Sequence, residues 1–332
     1  MRVSVVGAAG YAGAELVRLL LGHPEIEIDA LTSETFAGQL ISEVYGELRC
    51  DIRLRSLRID EIESPLVFTA LPHGKSAEVV GQLREQGCKV IDFSADFRLK
   101  SIATYERWYG PHPRKDLIET AVYGLPELYR KDIAAADLVA NPGCYPTAAI
   151  LALAPAVEGK LPDGSIVVDA KSGVSGAGRK LSMGTHFPQI NENMLAYAVA
   201  GHRHLPEIEE QLAIMQGSAM NVQFVPHLIP VNRGILATCY LRLEQELSTD
   251  NLRQVYARFY QEEYFVQVLA AGKFPEVKAV SYSNRCLVGV HVNPGGRAII
   301  VSVIDNLGKG AAGQAVQNMN LMCGFPESAG LQ

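Results

Sequence analysis

Short apolar runs separated by helical periodicity organise the first half of this chain. Val3 to Val6, Ile26 to Leu31, Leu66 to Leu71, Lys89 to Asp92 and Leu138 to Ala140 read as strands. Segments such as Ala14 to Leu21 and Ala77 to Gln86 read as helices between them. Alternation of this kind predicts a parallel, doubly wound sheet. From about Ile166 strands dominate: Ile166 to Ala170, Gln223 to His227, Leu236 to Leu243, Leu287 to Val292 and Ala298 to Ile304. One amphipathic helix, near Leu252 to Tyr260, interrupts them, and this half reads as an α+β domain. The stretch from Gly310 to Cys323 is helical again and is expected to return to the first domain. The expected boundaries are residues 1–145 with 308–332 for one domain and 146–307 for the other.

The 332 residues are enough for two domains with an enzyme-sized core. A formal net charge of -6 leaves no basic footprint, so nucleic acid is not an expected partner. No apolar run has the length of a bilayer span, and no membrane association is expected. Met1-Arg2-Val3-Ser4-Val5-Val6-Gly7 reads as a strand, without the apolar core or cleavage site of a secretory leader. Cys50, Cys88, Cys144, Cys239, Cys286 and Cys323 are scattered, with neither Cys-x-x-Cys pairs nor metal-finger spacing. They suit free thiols in a reducing compartment, so the expected location is the cytoplasm.

Gly7-Ala-Ala-Gly-Tyr-Ala-Gly13 follows the first strand directly and opens a helix. Glycines there permit a tight turn and close backbone approach to a pyrophosphate resting on the helix N-terminus. Gly7, Gly10, Tyr11, Ala12 and Gly13 are therefore candidate dinucleotide contacts. The spacing G-x-x-G-x-x-G departs from the strict form. At the end of the second strand, Thr32 and Ser33 suit a 2′-phosphate, whereas Glu34 suits the ribose hydroxyls of NAD. These residues leave NADP and NAD both open.

Asn141-Pro-Gly-Cys-Tyr-Pro-Thr147 carries the chemistry. A short apolar run ends in a Pro-Gly turn, Cys144 sits on it, and Pro146 opens an apolar helical pattern running to Leu153. Cys144 is thereby expected at the positive end of a helix, which favours the nucleophilic thiolate. Lys171-Ser-Gly-Val-Ser-Gly-Ala-Gly-Arg-Lys180 follows a strand and reads as a concave, cationic loop fitted to a phosphate or carboxylate. Gly201-His-Arg-His-Leu-Pro-Glu207 gathers two imidazoles, a guanidinium and a carboxylate. It reads as an acid/base and anchoring cluster rather than a metal site, since no third ligand accompanies the histidines. Leu71-Pro-His-Gly74, Asp92-Phe-Ser-Ala-Asp-Phe-Arg98 and Asp305-Asn-Leu-Gly-Lys-Gly310 also end or follow strands.

Together these blocks resemble the N-acetyl-gamma-glutamyl-phosphate reductases, over nearly the whole chain. The resemblance rests most on Asn141 to Ala148, Ser172 to Arg179, His202 to Glu207 and Asp305 to Ala315. It implies a Rossmann domain followed by a catalytic and oligomerisation domain like the C-terminal domain of glyceraldehyde-3-phosphate dehydrogenase. It further implies NADPH-dependent reduction of an acyl phosphate to a semialdehyde in arginine biosynthesis, by a homodimer or homotetramer. Cys144 then matches the nucleophile, and His202 or His204 the acid/base, with His202 preferred. Ser172, Ser175, Arg179, Arg203 and Glu207 match substrate contacts, and Asn306 joins the glycine turn as a cofactor contact. Glu34 departs from what NADP prefers. An aspartate-semialdehyde dehydrogenase-like enzyme with another acyl-phosphate substrate is the alternative.

Overall fold

The structure is a computed structural model describing residues 1–164 and 166–331. It divides into two compact units, Met1–Pro142 with Ala311–Gln332, and Gly143–Gly310. The first is built on β1 (Arg2–Val6), β2 (Glu27–Thr32), β3 (Leu66–Thr69), β4 (Lys89–Asp92), β5 (Val122–Tyr123) and β6 (Leu138–Ala140). These form a six-stranded sheet in the order β2-β1-β3-β4-β6-β5, parallel throughout. β1 and β3 are buried almost end to end, as a sheet covered on both faces requires. The polar Ser4 is accommodated inside β1 by a 2.8 Å hydrogen bond with Ser64. Helices α1 (Tyr11–Leu21), α2 (Ser76–Glu85), α3 (Ile102–Tyr109) and α4 (Pro126–Ala135) connect the strands, and the helix Gly313–Cys323 completes the unit. The strand order reverses between β1 and β3, and the glycine turn after β1 lies at that switch point, where doubly wound sheets bind ligands.

The second unit holds β7 (Ile166–Gly173), β8 (Leu195–Ala196), β9 (Val222–Ile229), β10 (Ile235–Arg242), β11 (Val266–Val268), β12 (Cys286–Asn293) and β13 (Arg297–Ile304). They form a mixed seven-stranded sheet in the order β11-β12-β13-β10-β7-β9-β8. Buried and half-buried residues alternate along most of β7, which marks a sheet with one covered face. The cover is made by α5 (Cys144–Glu158), α6 (Leu205–Gln216) and α7 (Thr249–Phe259). α6 is a second amphipathic segment among these strands, where the sequence pattern gave one.

α5 positions the candidate nucleophile and is anchored along its length. Every residue from Tyr145 to Val157 is buried, as expected for a helix apolar on all sides. Pro155 lies inside it and has no N–H for the Leu151 carbonyl one turn back. The Tyr260 hydroxyl donates to that carbonyl instead, at 2.6 Å. Tyr256 donates to the Ala152 carbonyl and Ser302 to that of Ala148, both at 2.7 Å. Residues in and just after α7, and one in β13, thus fix the helix that begins at Cys144. Among the described residues no helix is long and apolar enough to cross a membrane.

Candidate active site

Gly143 is the N-cap of α5, with extended backbone (φ -68, ψ 149), and Cys144 is its first residue. The helix begins two residues before Pro146, the expected opening, and proline still falls in the first turn, where it costs no hydrogen bond. Cys144 therefore sits where helix N–H groups converge. Gly310 packs against it: a Cβ on Gly310 would lie 2.9 Å from the Cys144 Cβ, so only glycine allows this approach. The Gly143 N–H donates to Glu207 Oε1 at 2.8 Å, and Glu207 is 2% exposed.

Both histidines pack around Tyr145. The His202 ring centroid lies 5.7 Å and that of His204 5.9 Å from the Tyr145 ring, and the two imidazoles are 4.9 Å apart. Tyr197 and Phe224 stand 5.6 and 5.4 Å from His202. Tyr145 donates its hydroxyl to the His227 carbonyl at 3.2 Å and receives that of Tyr197 at 3.2 Å. Burial raises both phenols, Tyr197 to about 12, so both stay protonated near neutrality. His202 Nδ1 accepts the His204 backbone N–H at 3.0 Å, which leaves the ring proton of the neutral form on Nε2. Among the described residues no group of His, Cys, Asp and Glu is arranged to hold a metal.

Burial, then the neighbouring Arg203, lowers the His202 pKa from 6.5 to about 4. Above pH 6.5 the imidazole is neutral in folded and unfolded chains alike, and its contribution to stability is complete. Between pH 6.5 and 4 the unfolded chain takes the proton first, so stability falls with pH by at most about 1.4 kcal/mol per unit. Replacing His202 with Asn is expected to flatten this part of the acid limb. Urea midpoints of both proteins at pH 7.5 and pH 5 check it; equal losses would show that His202 does not titrate there.

The segment after β7 is more ordered than a concave loop. β7 runs through Gly173, because Ser172 pairs with Ile235 of β10 and Leu228 of β9, and Val174–Ala177 form a 3-10 turn. Ser172 is 2% exposed and donates to the Gly173 carbonyl at 3.0 Å. Asn306, read from the sequence as a cofactor contact, makes one bond to protein at each end of its carboxamide. Its Nδ2 donates to Ser175 Oγ at 2.9 Å, and its Oδ1 accepts the Gly234 N–H at 2.6 Å. Arg179 is half-buried and Arg203 exposed.

In the first unit the glycine turn is built as a dinucleotide cradle. Gly7 has φ +86, and a Cβ there would lie 2.5 Å from the Ala70 carbonyl oxygen. A Cβ on Gly13 would stand 2.4 Å from the Gly7 carbonyl oxygen. Gly10 caps α1, with Tyr11 and Ala12 opening it. These close approaches leave the helix N-terminus open to a phosphate, so the residues present fit a dinucleotide. Thr32 holds the turn from β2: its carbonyl accepts from Gly7 and Ala8 at 3.2 and 2.9 Å, and its hydroxyl from Gly7 at 3.3 Å. Ser33 Oγ accepts from Phe36 at 3.3 Å, and Glu34 Oε1 from the Leu57 N–H at 2.8 Å.

Sequence reasoning missed Tyr145, Tyr197, Phe224 and Gly310 at this site. Of these Tyr145, next to Cys144, and Gly310, at the end of the Asp305 to Gly310 motif, carried a local signal.

Residues 2–136 match the semialdehyde dehydrogenase NAD binding domain, and residues 144–306 the semialdehyde dehydrogenase dimerisation domain. The N-acetyl-gamma-glutamyl-phosphate reductase of Pelotomaculum thermopropionicum is 50% identical across 100% of this chain and 97% of its own. That of Moorella thermoacetica is 48% identical over 100% and 98%. Among solved structures, aspartate semialdehyde dehydrogenase II from Vibrio cholerae, complexed with ASA, superimposes with a TM-score of 0.74. It is 19% identical over 97% of this chain and 98% of that one. The Candida albicans aspartate semialdehyde dehydrogenase with NADP gives 0.72, at 17% identity over 97% and 98%. The structural likeness carries the fold, and the identity carries the finer kinship: the chain belongs to the N-acetyl-gamma-glutamyl-phosphate reductases of the semialdehyde dehydrogenase family.

Proposed function

We propose that this protein reduces N-acetyl-γ-glutamyl phosphate to the semialdehyde with release of phosphate, a step of arginine biosynthesis in the cytoplasm. The observation that carries the reading is Cys144 at the N-terminus of α5, in a chain half identical to reductases of that name. In this mechanism the Cys144 thiolate attacks the acyl carbonyl; the S–C bond forms, the C–O bond to phosphate breaks, and a thioester remains on the enzyme. The dinucleotide, held by Gly7, Gly10, Tyr11, Ala12 and Gly13, supplies the hydride when bound. His202 donates from Nε2 to the oxygen that becomes anionic as the carbonyl turns tetrahedral, with His204 packed against it. Collapse restores the thiolate and frees the aldehyde. Ser172, Ser175, Arg179 and Arg203 supply polar and cationic groups for the substrate. The match to a dimerisation domain supports a homo-oligomer, read here as a dimer or tetramer.

The test is oxidation of N-acetylglutamate semialdehyde followed at 340 nm. Turnover that requires phosphate supports the reading; turnover with aspartate semialdehyde alone would replace the substrate.

We further read the preferred cofactor as NADP. Glu34, the residue that argued for NAD, directs an oxygen to the Leu57 N–H. Beyond β2 the chain returns beside the strand, with Arg55 bridged to Thr32, and the Arg55 side chain is exposed. An open cavity of ≈ 530 Å³ there is lined by Asp29, Arg53, Arg55 and Ser56 among others; the two guanidiniums and the Ser56 hydroxyl suit a 2′-phosphate and outweigh the one carboxylate. Arg55→Ala is expected to raise the NADPH KM about tenfold, the value of one lost charge-assisted contact, and to leave the NADH KM unchanged. Equal changes for both cofactors would remove Arg55 from the 2′-phosphate site.

A further inference from the structure

The geometry points to Glu207 as the residue that positions the nucleophile, through the backbone of Gly143 rather than through substrate. The inference rests on the acyl-phosphate chemistry assigned to Cys144. A carboxylate 2% exposed is costly to bury without a partner, and here one partner is the Gly143 N–H at 2.8 Å. Gly143 caps α5, while Glu207 stands in the first turn of α6, behind its cap His204 and Pro206. One negative group therefore serves two helix N-termini, where the backbone dipoles favour it. The two helices also pack on each other, so the bond fixes where α5 begins against α6.

That arrangement has a chemical consequence. The Gly143 N–H, immediately before the nucleophile, is a natural donor to an oxyanion, as in other acyl-transfer sites. Glu207 occupies it and withdraws it from that role. The first-turn N–H groups of Cys144 and Tyr145 are the helix-start donors this leaves for the oxyanion, since Pro146 has none. Holding Gly143 also sets the backbone orientation from which the Cys144 side chain departs, and a misplacement of about 1 Å in such a group costs on the order of 100-fold in rate.

Glu207→Ala and Glu207→Gln separate this role from a substrate contact. The alanine variant is expected to lose about 100-fold in kcat, with the KM for acyl phosphate within about threefold of wild type. Glutamine keeps an acceptor oxygen and is expected to recover kcat to within about fivefold. A rise in KM with kcat held, in both variants, would make Glu207 a substrate contact and overturn the proposal. A second measurement does not depend on turnover: hydrogen–deuterium exchange of the Gly143 amide. It is expected to quicken about tenfold or more in the alanine variant and to return towards wild type in the glutamine variant. Unchanged exchange in the alanine variant would also overturn the proposal. If wild-type enzyme showed no phosphate-dependent turnover, the functional reading would fall, while the exchange series would still decide the part of Glu207.

Discussion

Cys144→Ala is expected to abolish turnover, by on the order of 10⁴-fold or more, with cofactor affinity changed no more than a few-fold. The effect is large because the thioester splits one difficult reduction into two easier steps, and no other group replaces the sulfur in that bond. A carboxylate resists hydride attack through resonance, and a thioester carbonyl is less stabilised in this way. Cofactor affinity is expected to survive because the glycine turn belongs to the other unit of the chain. Stability is also expected to survive. Cys144 lies in the first turn of α5, whereas the tyrosine and serine bonds anchoring that helix fall at Ala148, Leu151 and Ala152. Steady-state rates, fluorescence titration with NADPH, and mass spectrometry of wild-type enzyme mixed with acyl phosphate check the three parts. An alanine variant that still formed aldehyde at a tenth of the normal rate would remove Cys144 from the chemistry. A large loss of NADPH affinity would make the residue structural.

The place of Cys144 at a helix start was legible because its signals are local. A Pro-Gly turn, a cysteine and an apolar helix follow one another within a few residues, and each constrains the backbone on its own. The glycine turn after β1 was legible for the same reason. Strands β1, β4 and β6 could be read because a buried parallel strand must be apolar on both faces, and little else in the chain looks like that. The helices α3 and α4 were harder. α4 opens with Pro-Glu and carries a non-helical residue, Tyr129, so its apolar periodicity is broken. The two-residue strands β5 and β8 are too short for any period to appear. What no local pattern encodes is the destination of a side chain. Glu34 gives no local sign that the chain will return 23 residues later to offer it the Leu57 N–H. Asn306 gives no local sign that Ser175 and Gly234 will each bond one end of its carboxamide. Tyr145 reads as part of an apolar helix, and only the fold brings Tyr197, Phe224 and both histidines to its ring.

The second large effect is expected at Asp305, which has no part in the proposed chemistry. Its carboxylate is fully buried and bonded to the Arg233 Nε at 3.0 to 3.1 Å. It also accepts the backbone N–H groups of Tyr282, Leu307 and Gly308, at 2.5, 2.8 and 3.0 Å. The Arg233 guanidinium, itself 8% exposed, lies 4.3 Å above the Tyr282 ring. Asp305→Ala leaves that cation buried without this carboxylate and three amides without their acceptor. Breaking a buried pair from one side costs about 3–5 kcal/mol, whereas an exposed pair would cost a fraction of that. For a unit of this size such a loss lowers the melting temperature by about 10 °C. Asp305→Asn keeps an acceptor and is expected to lose less. The defect should also reach the site, because Asn306 ties the turn after β7 to the start of β10, and Gly310 fits against Cys144. Calorimetry at fixed protein concentration, with kcat measured well below the transition, separates the two consequences. An alanine variant that melted within a degree of wild type would mean that Arg233 finds another counter-charge and that the 305–310 turn holds itself.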